Sequence, residues 1–219
     1  MERVIIGTGA FGQIAQQYFE EYSKIKINKF AVSENLLSQN YNSAIEVISI
    51  EELLVEDPDK FEIFIAIGYS KMNQIRTQIF QEFLTAGFSF LSFIHPQVKV
   101  WKNSSVGKNC FIFENNTLQP FTHIGDNTIL WSGSFIGHHT IIGRNCFISS
   151  HAVIPGYCVV GDNSFIGVNA TLHDGISIGE NSLIGAGAII SKNTKPQSAY
   201  VSLHTKEFPK NSLEIGFYE

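Results

Sequence analysis

Between residues 100 and 190 an aliphatic residue recurs every six positions without a skip: Val100, Val106, Ile112, Leu118, Ile124, Leu130, Ile136, Ile142 and onward to Ile184 and Ile190. Four residues after each stands a small side chain, such as Ser104, Cys110, Thr122 or Thr140, with Asn116 and Ile176 as exceptions. A helix, with its period of 3.6, cannot produce this beat. A coil of three short strands can, because one aliphatic side chain points inward from each flat side and a small one fits beside each corner. The repeat predicts a hexapeptide parallel β-helix of a little over five coils across residues 96–195.

The pattern before residue 96 is different. Apolar strands (RVIIG, KFAVS, EVISI, FEIFIAIG and FSFLSFI) alternate with amphipathic helical stretches (FGQIAQQYFEEY, EELLVED and SKMNQIRTQIFQEFLTAG, the last closed by Gly87). Strands alternating with helices of this length imply parallel pairing through crossover helices. Residues 1–95 are therefore expected to form a small Rossmann-like α/β domain, and residues 196–219 a C-terminal tail.

Composition adds exclusions. Across 219 residues the net charge is −5, without the concentrated basic face that nucleic-acid binders carry. No apolar run approaches the roughly 18 residues of a membrane span, and the N-terminus MERVIIGTGAFG lacks a signal-peptide pattern. Three cysteines without a CxxC pair point to a reducing, cytoplasmic setting. Cys110, Cys146 and Cys158 all fall on the small position of the hexad, so they read as core filler.

Residues 18 apart stack on successive coils, which sorts the corners into columns. One column reads VGKN, IGDN, IGRN, VGDN and IGEN, a structural turn whose Gly and Asn suit left-handed backbone. Another reads VWKN, LQPF, IGHH, IPGY, LHDG and ISKN and follows no turn consensus. Its adjacent His138 and His139 read either as solvated corner histidines or as chemistry. One coil above His138, Gly156 offers an unhindered backbone N–H, and Asp174 lies one coil further. A base beside a free amide donor is the minimum for acyl transfer. An outward column of Phe111, Ile129, Phe147, Phe165 and Leu183 should not face water, and burial against a second subunit is the expected cover.

In the N-terminal half, Gly7, Gly9 and Gly12 form GxGxxG directly after a strand, a turn whose N–H groups can approach a phosphate at a helix start. Gly68, Tyr69, Lys71 and Asn73 follow the fourth strand and are expected to face the same crevice, with Ser33 and Glu34 ending the second strand near ribose or base. Arg76, deeper in its helix, reads as balancing surface charge.

These segments together (VIIGTGAFG, FIAIGYSKMNQIR, the IHP junction, the IGHHTIIG corner and the closing IGAGAIISKN) resemble a bacterial nucleotide-sugar acyltransferase family, the sialic-acid O-acetyltransferase and amino-sugar N-acetyltransferase type. The resemblance implies a left-handed β-helix in a homotrimer with active sites between subunits, acetyl-CoA as donor, no metal, and a nucleotide-linked amino sugar as acceptor. It places His138 on the catalytic base, and puts His139 where members often carry an orienting glutamate. It puts Trp131 where some members have an asparagine facing the sugar. It matches Val168 and Ala186 to positions whose backbone contacts the donor, with Lys192 near CoA phosphate. In place of a glutamate, Asp174 or a neighbouring subunit could orient His138.

The implied reaction is N-acetylation, with O-acetylation of sialic acid or another sugar hydroxyl as the alternative. A zinc hydratase of β-helix type would need two histidines five apart, and the seven histidines contain no such pair. An NAD-dependent oxidoreductase would need a substrate domain that only the solenoid could supply. His123, His151 and His173 read as outward or solvated corner residues.

Overall fold

The computed structural model describes residues 1–38 and 45–203, together with Pro209. The N-terminal sheet contains β1 (Glu2–Ile6), β2 (Lys29–Val32), β3 (Glu46–Ser49), β4 (Phe61–Ile65) and β5 (Ser89–Phe90) in the order β3-β2-β1-β4-β5, and every pair is parallel. Among the described residues, α1 (Ala10–Tyr22) leads from β1 to β2, α2 (Ile50–Leu54) from β3 to β4 and α3 (Gln74–Thr85) from β4 to β5. On α1 the spacing of Gly12, Ala15 and Phe19 makes one buried stripe. Ser49 starts α2 with a capping box, accepting from the Glu52 amide while the Glu52 carboxylate takes the Ser49 amide. The order of strands reverses between β1 and β4, which places a crevice at their carboxyl ends.

The stretch FSFLSFI divides between two sheets: β5 closes the α/β sheet, whereas β6 (Phe93–Ile94) opens one face of the solenoid. From there, two-residue rungs build three parallel faces. The first runs from Ser105–Val106 to Ser177–Ile178, the second from β6 to Ala199–Tyr200, and the third from Thr117–Leu118 to Ile189–Ile190. Ile112, Leu130, Ile136, Ile148, Ile154 and Ile166 are fully buried in the solenoid core, as the hexad predicts, and Cys110, Cys146 and Cys158 fill it beside them. Burial pushes the Cys110 and Cys146 thiols up to about 12, which keeps them protonated and inert.

The outward column is covered by the same chain. Phe111, Ile129 and Phe147 are buried in one cluster with Ile5, Phe19, Phe30 and Phe64, so the α/β domain seats on the second face of the solenoid. That corrects the expectation of a second subunit there. The period identifies which residues point outward, and the topology, not the period, decides what lies over them. Each fully buried phenylalanine in this interface contributes about 1.5–3 kcal/mol relative to exposure.

Polar groups fix the docking as well. Arg76 is fully buried, which overturns its reading as a surface charge. Its guanidinium donates to the carbonyls of Ile67 and Gly68 in its own domain, and to those of Asn127, Asn145 and Cys146 on the solenoid. Burial draws its pKa down to about 10, which leaves it charged at neutral pH. The helix containing it begins at Gln74, because Lys71, Met72 and Asn73 all take left-handed backbone. Asn73 is buried and donates to the carbonyls of Asn163 and Ser164.

Candidate active site

Each coil turns its corners through a residue with positive φ, where Asn and Gly are the least strained choices. The regular corner uses Asn109, Asn127, Asn145, Asn163 and Asn181, and the first four link side chain to side chain in a ladder with steps of 2.7–3.0 Å. The corner between the third and first faces departs from this rule. There Phe121, His139 and Tyr157 take φ of 65°, 58° and 58°.

His138 projects from this corner and is exposed. Its Nδ1 lies 3.1 Å from His139 Nδ1, so one imidazole donates and the other accepts. The side chain that the described residues place at His138 Nδ1 is thus that of His139. The His138 amide donates to Gln119 Oε1 at 2.9 Å, which holds the corner backbone. The imidazole lies against Gly156: a Cβ there would stand 2.8 Å from Cε1 and 3.0 Å from Nε2. Only glycine lets the ring approach so closely. The Gly156 N–H has no acceptor among the described residues, while the next amide, that of Tyr157, is taken by the His138 carbonyl. A base and an unclaimed amide donor thus share one corner.

Trp131 does not reach that corner. It belongs to the second face, stacked on Phe113 at 4.4 Å, with its Nε1 buried and without a hydrogen-bond partner among the described residues. It lines a cleft of about 280 Å³ between the domains, shared with Tyr69, Phe147, Phe165, Val168 and Ala186. Tyr69 stands 4.9 Å from both the Phe147 and Phe165 rings. The amides of Val168 and Ala186 have no acceptor among the described residues, which suits backbone recognition of an amide-containing arm. Lys192 is exposed on the His138 column, three coils along. Below this cleft, Tyr18 and Ser132 both donate to the Glu114 carboxylate, at 2.8 and 2.6 Å. Burial pushes the Glu114 carboxyl up, yet these donors hold it below the usual range. Burial, then Glu114, raises the Tyr18 hydroxyl to about 12.

The crevice at the strand ends has a volume of about 440 Å³ and is lined by Gly7, Thr8, Gly9, Ser33, Asn35 and Ala66, among others. Gly12 does not reach it. It is buried, and a Cβ there would run into the Gly7 carbonyl, so its role is close packing of α1 on β1. Glu34 lies at the rim, its amide donating to Glu51 Oε2. Of the four residues expected after β4, none lines the crevice, and Ala66 and Ile67 take their place. Gly68 gives its carbonyl to Arg76, Tyr69 turns to the solenoid cleft, Lys71 is exposed and Asn73 is buried in the docking surface.

Of the other histidines, His123 pairs with Ser105 Oγ at 2.9 Å on an exposed face, and His151 lies over Gly133. His204 and most of the tail lie outside the described residues. Gln119, Phe121 and Tyr157 were not singled out from sequence, although the final letters of LQPF, IGHH and IPGY already showed an aromatic column where the regular corner has asparagine.

Comparison with known proteins agrees with this architecture. Residues 121–156 match the bacterial transferase hexapeptide (six repeats), and residues 157–192 match the hexapeptide repeat of succinyl-transferase. No curated protein sequence matches the chain significantly. Among solved structures, the acetyltransferase domain of PglB from Neisseria gonorrhoeae superposes with a TM-score of 0.80 at 22% identity, covering 92% of this chain and 96% of that one. PerB from Caulobacter crescentus, in complex with CoA and GDP-perosamine, gives 0.82 at 21%, covering 92% and 94%. WeeI from Acinetobacter baumannii gives 0.69 at 19%, covering 92% and 97%. The fold is theirs. It is an α/β domain followed by a left-handed parallel β-helix of hexapeptide repeats. Perosamine N-acetyltransferase has also been crystallised with one histidine replaced by asparagine or by alanine.

Proposed function

We propose that the chain is an acetyl-CoA-dependent N-acetyltransferase acting on the amino group of a nucleotide-linked amino sugar. The observation that carries this reading is the His138 corner: a histidine with its Nδ1 partnered lies against a glycine whose N–H is unclaimed. The likeness of the whole fold to structures solved with CoA and GDP-perosamine supports it, as does the replacement of a single histidine in two of them.

In this reading the thioester supplies an activated acetyl carbonyl, and the chain's residues do the rest. His138 Nε2 accepts a proton from the sugar amine as its nitrogen bonds to the carbonyl carbon, a general-base contribution of roughly 10²- to 10⁴-fold. The Gly156 N–H donates to the developing oxyanion, worth about 3 kcal/mol by comparison with other such donors. The same proton passes from His138 to the departing thiolate as the carbonyl reforms. No cysteine acts as nucleophile, because Cys110, Cys146 and Cys158 are buried in the solenoid core. The amides of Val168 and Ala186 would hold the pantetheine arm, with Lys192 toward its phosphates. The crevice of Gly7, Gly9 and Ser33 would hold the nucleotide.

His138 and the Val168–Ala186 edge occupy different corners of one solenoid. The reading therefore places each active site between two chains of a homotrimer, where one chain's histidine meets another's donor-binding edge.

The test is thiol release from acetyl-CoA with a panel of nucleotide-linked 3-amino and 4-amino sugars, wild type beside His138→Ala. We expect turnover of at least one amino sugar and a loss of roughly 10²-fold or more in the variant. Turnover only of hydroxylated acceptors would move the reaction to O-acetylation, and full activity of His138→Ala would remove the histidine corner from the mechanism.

A further inference from the structure

The aromatic residues on the histidine corner need an explanation. Left-handed backbone is disfavoured for bulky side chains, and the regular corner solves the same turn five times with asparagine. Phe121 and Tyr157 accept that strain and also leave much of their rings exposed, 45% and 61% respectively. Backbone outliers of this kind collect at functional sites, where the surrounding contacts compensate for them.

The contact that compensates here is a three-ring stack. Successive coils of a parallel solenoid lie one strand spacing apart, about 4.8 Å, which suits face-to-face aromatic rings. The Phe121 and His139 centroids are 4.4 Å apart with planes at 20°, and His139 and Tyr157 are 4.9 Å apart at 17°. The imidazole of His139 is thus held on both faces. Tyr157 also meets His138 edge-on, at 5.0 Å and 85°.

We propose that Phe121 and Tyr157 are positioning residues that clamp His139 so that its Nδ1 lone pair faces His138 Nδ1. The proposal rests on the role of His138 as base given above. Two Nδ1 atoms 3.1 Å apart share a single proton. When His138 carries it, its Nε2 is free to act as a base, and His139 holds its own proton on Nε2. When His139 carries it, His138 is protonated at Nε2 and cannot accept. A fixed His139 plane keeps the two Nδ1 atoms paired, and the role of His138 as base assigns the bridging proton to His138. A His139 that swings away leaves His138 to the Nε2–H tautomer that a solvated imidazole prefers. His139 can serve as the acceptor for His138 Nδ1 only if its ring is held, and the stack holds it.

The experiment compares wild type, Tyr157→Leu, Phe121→Leu and Tyr157→Phe as full chains. Long-range ¹⁵N–¹H NMR on histidine-labelled protein reads the His138 tautomer without any substrate, with His138→Ala assigning the signal. Steady-state kinetics read kcat and KM for both substrates. Wild type should show His138 protonated at Nδ1. Each leucine variant should move His138 toward the Nε2–H form and lower kcat about tenfold or more, with either KM changed less than about twofold. Tyr157→Phe, which keeps the ring, should restore both tautomer and kcat. Leucine variants with an unchanged tautomer and kcat would overturn the proposal, and so would a Tyr157→Phe protein as impaired as Tyr157→Leu. Because the tautomer is read in the free protein, a stack that sets it in a chain unable to acetylate any amino sugar would refute the proposed function and leave this inference standing.

Discussion

Gly156 shows how one side chain's absence organises the corner. The His138 ring lies within 2.8–3.1 Å of where a Gly156 Cβ would sit, so the same glycine supplies both the room for the proposed base and the amide beside it. Gly156→Ala keeps the amide but sets a methyl 2.8–3.0 Å from the imidazole, which must then move. Displacing a catalytic group by around 1 Å costs about 10² in rate. We therefore expect kcat of Gly156→Ala to fall by that order, with acceptor KM little changed and the urea midpoint close to wild type. A wild-type kcat would mean that the ring does not work from this position. At this scale the sequence was readable in part. The irregular column pointed to His138, His139 and Gly156 because turn chemistry failed to explain it. It did not reveal the Nδ1 pairing, because a corner pattern fixes the backbone position of a side chain and leaves its rotamer to neighbours on adjacent coils.

Among the elements, α3 carries the clearest lesson about patterns. Arg76, Phe80 and Phe83 are the buried residues of this helix and stand at i, i+4 and i+7, one continuous stripe. Reading by residue type assigns the arginine to solvent, whereas reading by position puts it at the head of the buried face. The hexads were legible because a strict period of six has only one structural solution. The docking of the two halves was not, because the solenoid carbonyls that accept from Arg76 lie 51 to 70 positions away. The guanidinium joins five carbonyls across the domain boundary without any carboxylate among them. Arg76→Ala takes the side-chain donor from the Ile67, Gly68, Asn127 and Asn145 carbonyls, while that of Cys146 still accepts from the Ile129 amide; each buried acceptor left unpaired costs about 1–3 kcal/mol. The variant should lose about 3 kcal/mol or more in equilibrium urea unfolding, and Arg76→Lys should recover only part, since an ammonium has three donors and no planar fork. A loss below about 1 kcal/mol for Arg76→Ala would show that the apolar contacts alone hold the domains together.

For the whole molecule, seating the α/β domain on one face of the solenoid leaves the other two faces open. Ile141 and Val159 on the first, and Val153 and Ile189 on the third, are between 38% and 70% exposed, and the His138 corner lies between those two faces. The column first read as an oligomer contact is largely covered within the chain, which leaves these faces as the apolar surface of the solenoid open to a second chain. In the proposed trimer the halves of the site come from different subunits, which allows complementation. A His138→Ala chain lacks the base, and a Val168→Glu chain presents a carboxylate at the apolar donor edge. Each alone should be inactive in thiol release. Co-refolded in equal amounts, they should form mixed trimers in which about one site in four joins an intact His138 to an intact Val168 edge, so that roughly a quarter of wild-type activity returns. Mixing the folded proteins without exchange should recover nothing. If co-refolding also recovers nothing while light scattering shows mixed trimers, each site is complete within one chain, and the His138 corner would have to meet its donor along its own column, toward Lys192.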